Sequence, residues 1–384
     1  MAWELESRLA QISRAGLQRR RRTLSSAQGP RIRVDGREYL SFCSNDYLGL
    51  AAHPALTEAA CQAARVAGVG AGASHLVLGH HELHEQLEQR FAALTNFPRA
   101  LLFSTGYMAN LGVITALLSR HDAIFADRLN HASLNDAALL SRADLQRFRH
   151  ADAAHLDELL GRSSAQRKLV VTDGVFSMDG DMAPLTDMLA VCERHDALLF
   201  VDDAHGFGVL GEGGRGILQH FGLKSDRLIY LATLGKAMGS FGALVAGSES
   251  LIEYLLQKAH TYIYTTALPP MLAQASLTAF ELMADDRLRQ HLQQLIRQLR
   301  NDLEGLPWQL MSSVTPIQPL LVGDAVAAVE LADALRESGI MVPAIRPPTV
   351  PTGSARLRIS LSAAHTADDV AALAQALAHL ARGR

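Results

Sequence analysis

The sequence is short of cysteine, carries no strong charge of one sign and has no apolar run of membrane length. Its 384 residues include three cysteines, Cys43, Cys61 and Cys192, scattered and odd in number. That argues against a disulfide scaffold and for reduced, packed thiols in a cytoplasmic protein. A formal net charge of −3 supplies no global basic field, which argues against a nucleic-acid or membrane-surface partner. No stretch approaches the roughly 20 apolar residues that a spanning helix needs. The N-terminus lacks a secretory apolar region, and there is no fixed-period repeat or low-complexity tract. What is there is ordinary globular composition, 48% hydrophobic and 20% charged. The length leaves room for a large core and two domains.

Trp3, Leu5, Leu9 and Ile12 recur near helical spacing, which predicts an amphipathic helix over 3–17. It runs into Arg19-Arg20-Arg21-Arg22, a charge run whose default is solvation. Arg31 to Phe42 alternates about Asp35-Gly36 and predicts a hairpin. From Ser44 to about residue 280, strand-like and helix-like stretches alternate, the pattern of a parallel sheet covered by helices. The fold class is therefore α/β. The glycine-rich stretch 68–79 reads as a backbone turn lining a site. His80, His81 and His84 miss the two-histidine zinc motif by one residue, so no metal site is expected there and the group reads as a helix opening. Beyond about residue 281 the chain reads as a long helix, then a smaller α+β unit. Its stretch Arg356 to Leu361 alternates arginine with aliphatic residues. Such a pair of arginines is usually solvated; facing a cleft, one of them can grip a carboxylate. The expected organisation is an N-terminal helix and hairpin over 1–45, a large domain over 46–280 and a small domain over 281–384.

Polar residues collect where the apolar strands of the large domain end, the place at which open α/β sheets bind ligands. Ser104-Thr105-Gly106-Tyr107 follows one such strand and opens a helix, offering free N–H groups to a phosphate. His131 follows the strand ending at Asp127, and Ser177 lies just after the strand ending near Asp173. Ala197 to Val201 runs straight into Asp202-Asp203-Ala204-His205, and carboxylates there are costly unless partnered. The following 206–211 fits G-x-G-x-x-G, but no helix opens after it and the two aspartates would repel a pyrophosphate. Between the apolar runs at 230–232 and 243–246 sits Thr233-Leu234-Gly235-Lys236. Lys236 is either a loop lysine reaching solvent or a nucleophile able to form a Schiff base with a carbonyl cofactor. The neighbouring aspartate, hydroxyls and helix N-terminus favour the second reading, with pyridoxal phosphate as the cofactor.

The motifs as a set resemble those of the α-oxoamine synthases, over essentially the whole chain. They are SNDYLGL at 44–50, STGYMANLG at 104–112, ADRLNHASL at 126–134, GVFSMDGDMAPL at 174–185, VDDAHGFGVLGEGGRG at 201–216, TLGKAMG at 233–239 and IRPPTVPTGSARLR at 345–358. The last of these, with IQPLLVGD at 317–324, favours the biotin-pathway branch of the family. The resemblance implies the aspartate-aminotransferase fold type I: a mostly parallel sheet of the seven-stranded type covered by helices, and a smaller C-terminal α+β domain. It implies pyridoxal 5'-phosphate joined to Lys236, with Asp202 on the pyridine nitrogen, His205 by the phenolic oxygen and His131 over the ring. Gly106, Tyr107, Ser177 and Thr233 would bind the cofactor. Thr265 and Thr266 would reach the phosphate of the other subunit of a homodimer. Arg358 would hold the amino-acid carboxylate, and Arg19 and Thr349 would lie near the acyl group. The implied reaction condenses L-alanine with pimeloyl-CoA or pimeloyl-acyl carrier protein, with loss of CO2. The alternative is the sister reaction of glycine with acetyl-CoA. Asp173 and Asp203 stand where the family often has Glu.

Overall fold

The apolar run Leu198–Asp202 forms the central strand of a seven-stranded sheet. The computed structural model describes residues 3–14, 18, 19 and 21–382. Across the sheet the strands are Arg99–Phe103, Ala243–Gly247, Leu228–Thr233, Leu198–Asp202, Lys168–Asp173, Ala123–Asp127 and Asp144–Phe148. Only Ala243–Gly247 runs antiparallel to its neighbours. Helices cover both faces, so the inner strands are apolar along their whole length instead of alternating. Parallel pairing brings the carboxyl ends of the strands to one edge, so Phe103, Asp127, Asp173, Asp202 and Thr233 all finish there. Asp173 and Asp202 are register partners.

The second half of the chain builds a four-stranded antiparallel sheet from Gln309–Leu310, Ile317–Gly323, Ala355–Ser360 and Ala344–Ile345. Helices Asp286–Asp302, Ala325–Glu337 and Ala367–Arg382 belong to this half. The last opens with a reciprocal cap: the Thr366 N–H donates to Asp369 Oδ2 at 2.9 Å, and the Asp369 N–H to Thr366 Oγ1 at 3.1 Å. The long helix expected from about 281 is Asp286–Asp302; it starts a few residues later because Asp285 accepts the Arg287 N–H and caps it, after the separate helix Pro270–Met283. The hairpin Arg31–Val34 and Arg37–Ser41 is completed by Ile340–Met341, which pairs parallel to its second strand. The N-terminal helix is Leu5–Arg14, and its apolar stripe is exposed. Residues 15–17 of the expected helix lie outside the described residues.

The alternating strand takes the second of the two readings open to its arginines, away from solvent. Arg356 and Arg358 are not on a wet face: all six residues of Ala355–Ser360 are buried. The turn 177–179 covers the arginines. Arg356 pairs with the Asp179 carboxylate, and Arg358 Nε–H donates to the Ser177 carbonyl.

Candidate active site

A cavity of about 290 Å³ opens at the carboxyl edge of the large sheet. It is lined by Thr105, Gly106, Tyr107, His131, Asp173, Asp202, His205, Thr233 and Lys236, among others. Each comes from a strand end or the turn after it, so sheet topology alone gathers them.

Lys236 sits in the turn after Leu228–Thr233. The turn closes by the Gly239 N–H donating to the Lys236 carbonyl at 2.9 Å. Gly239 has φ +61°, and a Cβ there would lie 2.4 Å from the Leu50 backbone, so only glycine lets this turn pack under segment 44–51. Burial lowers the Lys236 pKa, while Asp202 and Asp173 oppose that shift.

Asp202 is the last residue of its strand and accepts from Asn110 Nδ2–H at 2.7 Å and from the Ala204 N–H at 3.1 Å. Asn110 also donates to Ser133 Oγ at 2.8 Å, and its own Oδ1 is buried without a partner. Asp173 is buried and accepts the His131 N–H on Oδ2 at 2.6 Å. Burial and the neighbouring Asp202 push its pKa well above the carboxylate range. Burial lowers the His131 pKa, with Asp202 acting the other way. Burial likewise pushes His205 well below the ordinary imidazole value, aided by the charge of Lys236. His205 Nδ1 shares a 2.6 Å hydrogen bond with the Tyr47 hydroxyl.

Thr105 caps the helix Gly106–Leu117 by accepting the Met108 N–H, which leaves first-turn amides at the cavity wall. A Cβ at Gly106 would lie 2.7 Å from Thr233 Cγ2, so the helix end and the Thr233 strand end meet in close contact. Tyr107 is partly exposed, and its hydroxyl donates to Asp136. Arg358, on the small sheet, is not in the cavity lining, but its charge bears on both Lys236 and His205. Its Nη1–H groups donate to Asn45 Oδ1 at 3.1 Å and Ser360 Oγ at 2.7 Å.

Seven expected site residues thus share one cavity: Gly106, Tyr107, His131, Asp202, His205, Thr233 and Lys236. Ser177 is not in its lining, but its carbonyl holds Arg358. Thr265 and Thr266 line a separate surface groove with Ser74, Leu76, Val77 and Tyr264. The glycine-rich turn therefore borders that groove and not the main cavity. Arg19 and Thr349 are exposed and away from the cavity lining. Asn110, Ser133 and Tyr47 were not anticipated as site residues. Asn110 lies one helical turn beyond Gly106, on the face that Gly106 turns to the cavity, and that spacing was its available signal.

The family model described as aminotransferase class I and II matches residues 37–377. An 8-amino-7-oxononanoate synthase of Nitrosospira multiformis is 59% identical over 367 residues, covering 95% of this chain and 93% of the relative. The chain belongs to the 8-amino-7-oxononanoate synthase family. A solved 8-amino-7-oxononanoate synthase from Francisella tularensis superposes with a TM-score of 0.77 at 35% identity, covering 90% of this chain and 98% of that one. A serine palmitoyltransferase from S. paucimobilis, solved with a bound adduct of pyridoxal phosphate and myriocin, superposes with a TM-score of 0.92 at 28% identity, covering 99% and 97%. The fold is thus that of fold-type I aminotransferases.

For an 8-amino-7-oxononanoate synthase the residues present fit pyridoxal phosphate. A lysine amine, a strand-end carboxylate, a helix N-terminus and an imidazole converge on one cavity, and the buried Asn110 Oδ1 still lacks a partner. Among the described residues no helix is long and apolar enough to cross a membrane.

Proposed function

We propose that the chain is a pyridoxal-phosphate-dependent acyltransferase of biotin biosynthesis. It condenses L-alanine with a pimeloyl thioester and releases 8-amino-7-oxononanoate, CO2 and the free thiol. The observation that carries this reading is the 59% identity over 95% of the chain to a relative of that name. The cavity supports it, because a half-buried lysine and a strand-end aspartate face the same space.

When bound, the cofactor supplies an aldehyde for an amino group and a ring that accepts the electron pair left at the substrate α-carbon. The rest is done by the chain. Lys236, its pKa lowered by burial, sheds its proton readily, as a nucleophile and base must. It takes the α-proton of alanine and later returns one. Asp202, aimed by Asn110 and Ala204, accepts the ring N–H. The first-turn amides after Thr105, with Gly106, Tyr107 and Thr233, hold the phosphate. Ser177 bonds the cofactor. His131 covers the ring and contacts substrate. Neutral His205, hydrogen-bonded to Tyr47, sits by the phenolic oxygen. Arg358 grips the alanine carboxylate and holds it until the new carbon–carbon bond has formed and the thiolate has left. The carboxylate then departs as CO2. Arg19 and Thr349 contact the acyl end.

The exposed Leu76, Val77, Leu78 and Tyr264 flank Thr265 and Thr266, which supports a homodimer whose second copy covers this apolar patch and receives both threonines at its phosphate. A monomer in sedimentation velocity at micromolar concentration would count against that. Three unpaired thiols support a cytosolic location; oxidation of all of them on isolation from intact cells would argue otherwise.

The testing experiment is thiol release with alanine plus pimeloyl-CoA, beside glycine plus acetyl-CoA and serine plus palmitoyl-CoA. Release confined to the first pair is the expected result. Release confined to another pair keeps the roles of Lys236 and Asp202 but overturns the substrates, and with them the roles of Arg19 and Thr349. Pimeloyl-acyl carrier protein, assayed in parallel, identifies the carrier.

A further inference from the structure

The histidines of the glycine-rich turn and the following helix are brought together in a way their spacing does not reveal. His75, in the turn, joins His80 and His84, and each offers a ring nitrogen within 4.8 Å of the other two. His75 Nδ1 and His80 Nδ1 are 2.8 Å apart. Ligand nitrogens of a tetrahedral zinc ion lie about 3.3 Å apart, so a small shift of either ring accommodates one. His75 and His84 are buried, and His80 is partly exposed and provides access.

A neutral imidazole has one N–H and one lone pair. His80 Nε2 faces Glu85 Oε2 at 3.3 Å, so its N–H belongs there and its Nδ1 lone pair points inward. A carboxylate behind a ligating histidine is the usual arrangement around a bound metal. His84 Nδ1 accepts the His81 N–H at 3.0 Å, and its ring also meets the Leu268 backbone. Glu88, the remaining acid nearby, is a poor ligand. Its Oε1 is taken by the Leu102 N–H at 2.7 Å.

We propose that His75, His80 and His84 form a binding site for a zinc-class divalent ion, oriented by Glu85. Imidazole ligands favour zinc, cobalt, nickel and copper over magnesium and calcium. The ion replaces the proton between His75 and His80, His75 shifts its N–H to Nε2, and His84 contributes one ring nitrogen. Occupancy ties the turn 74–79 to the helix Glu82–Thr95. That turn also holds the Ala267 N–H on the Ala73 carbonyl at 2.9 Å, and its outer side is the apolar patch Leu76–Leu78. The ion therefore stiffens the surface beside Thr265 and Thr266. The site does not depend on the catalytic reading above.

The test is a titration of the cofactor-loaded protein with Co2+ at neutral pH. One ion per chain with the visible absorption of a tetrahedral site is expected, displaced by Zn2+. His75→Phe keeps the ring stacked on Tyr262 and removes one ligand, so the band should vanish. Glu85→Gln should weaken binding about 10–100-fold. Zn2+ should raise the melting temperature of the unaltered protein and not of His75→Phe. If His75→Phe does not fold, His80→Asn, at the accessible position, gives the same comparison. No band in the unaltered protein, or the same band in the variants, overturns the proposal and assigns the binding to surface histidines.

Discussion

Asp173 and Asp202 stand opposite each other, in register on adjacent parallel strands, at the floor of the cavity. Two carboxylates this close in a buried site resist carrying charge together. Burial and Asp202 keep the proton on Asp173, whose pKa lies well above the usual range. Below that raised value Asp173 is neutral; as pH climbs through it, a second negative charge appears beside Asp202 and under His131. Asp173→Asn mimics the protonated form and keeps an acceptor for the His131 N–H. The variant is expected to bind pyridoxal phosphate with little pH dependence on the alkaline side, where the unaltered protein changes affinity. Spectroscopic cofactor titrations at stepped pH decide it, and identical profiles would sink the idea.

His150 ties the strand end at Asp127 to the turn that carries Ser177. Its Nδ1 and Nε2 lie 3.0 Å from Asp127 and 2.8 Å from Asp181, and its ring meets Phe176 edge-on. Burial opposes its charge, but the two carboxylates outweigh that and raise it to about 10. A raised pKa means that the stabilisation is fully present below the unfolded value of about 6.5 and is lost as pH rises to about 10. His150→Gln leaves Asp127 buried with a lost charged partner, a cost of about 1–3 kcal/mol. The stability gap between the two proteins should be widest near pH 6 and close towards pH 10 in urea unfolding. A gap that does not vary with pH would leave packing, not charge, as its cause.

Arg358 is held by the Ser177 carbonyl, Asn45 and Ser360, three acceptors from separate parts of the chain. A substrate carboxylate would exchange for these neutral acceptors and gain a charge-assisted bond worth about 1.5–3 kcal/mol. Arg358→Ala should therefore weaken alanine binding roughly 10- to 100-fold while changing cofactor affinity far less. Unchanged alanine affinity in a spectral titration would remove Arg358 from this role.

The cavity was legible wherever an apolar run stops at a polar residue. Asp202, Thr233 and Lys236 stand out because strands end on or just before them, and parallel topology then dictates that they meet. Pairings between strands were not legible. Nothing local in Thr172-Asp173 says that this strand registers against Leu198–Asp202 and sets two acids side by side. The Arg356–Arg358 alternation left two readings open for a related reason: period-two patterning tells two faces apart, but not that a distant turn, 177–179, covers the charged one. His75 was passed over because motif spacing looks along one helix, whereas it comes from the turn before it. The stripe of the N-terminal helix predicted the helix correctly over Leu5–Arg14, yet no contact buries it.

Asp203 supplies the last prediction. It lies behind the catalytic edge and ties the glycine-rich loop 206–216 to the sheet. Its Oδ2 accepts the Tyr230 hydroxyl at 2.6 Å and the Ile217 N–H at 2.7 Å, while Oδ1 is buried with no partner. Burial raises its pKa from 3.8 to about 7, against the pull of those two donors. The folded protein therefore holds a proton that the unfolded chain has released between these two values. Stability contributed by that proton is complete below pH 3.8 and is lost as pH rises through about 7, at up to about 1.4 kcal/mol per pH unit. Asp203→Asn keeps an acceptor for Tyr230 and Ile217 and cannot ionise. Its unfolding free energy should fall less steeply between pH 5 and pH 7, about the upper part of that window. Parallel slopes for both proteins in urea melts at these pH values would mean that Asp203 ionises alike in the folded and unfolded chain.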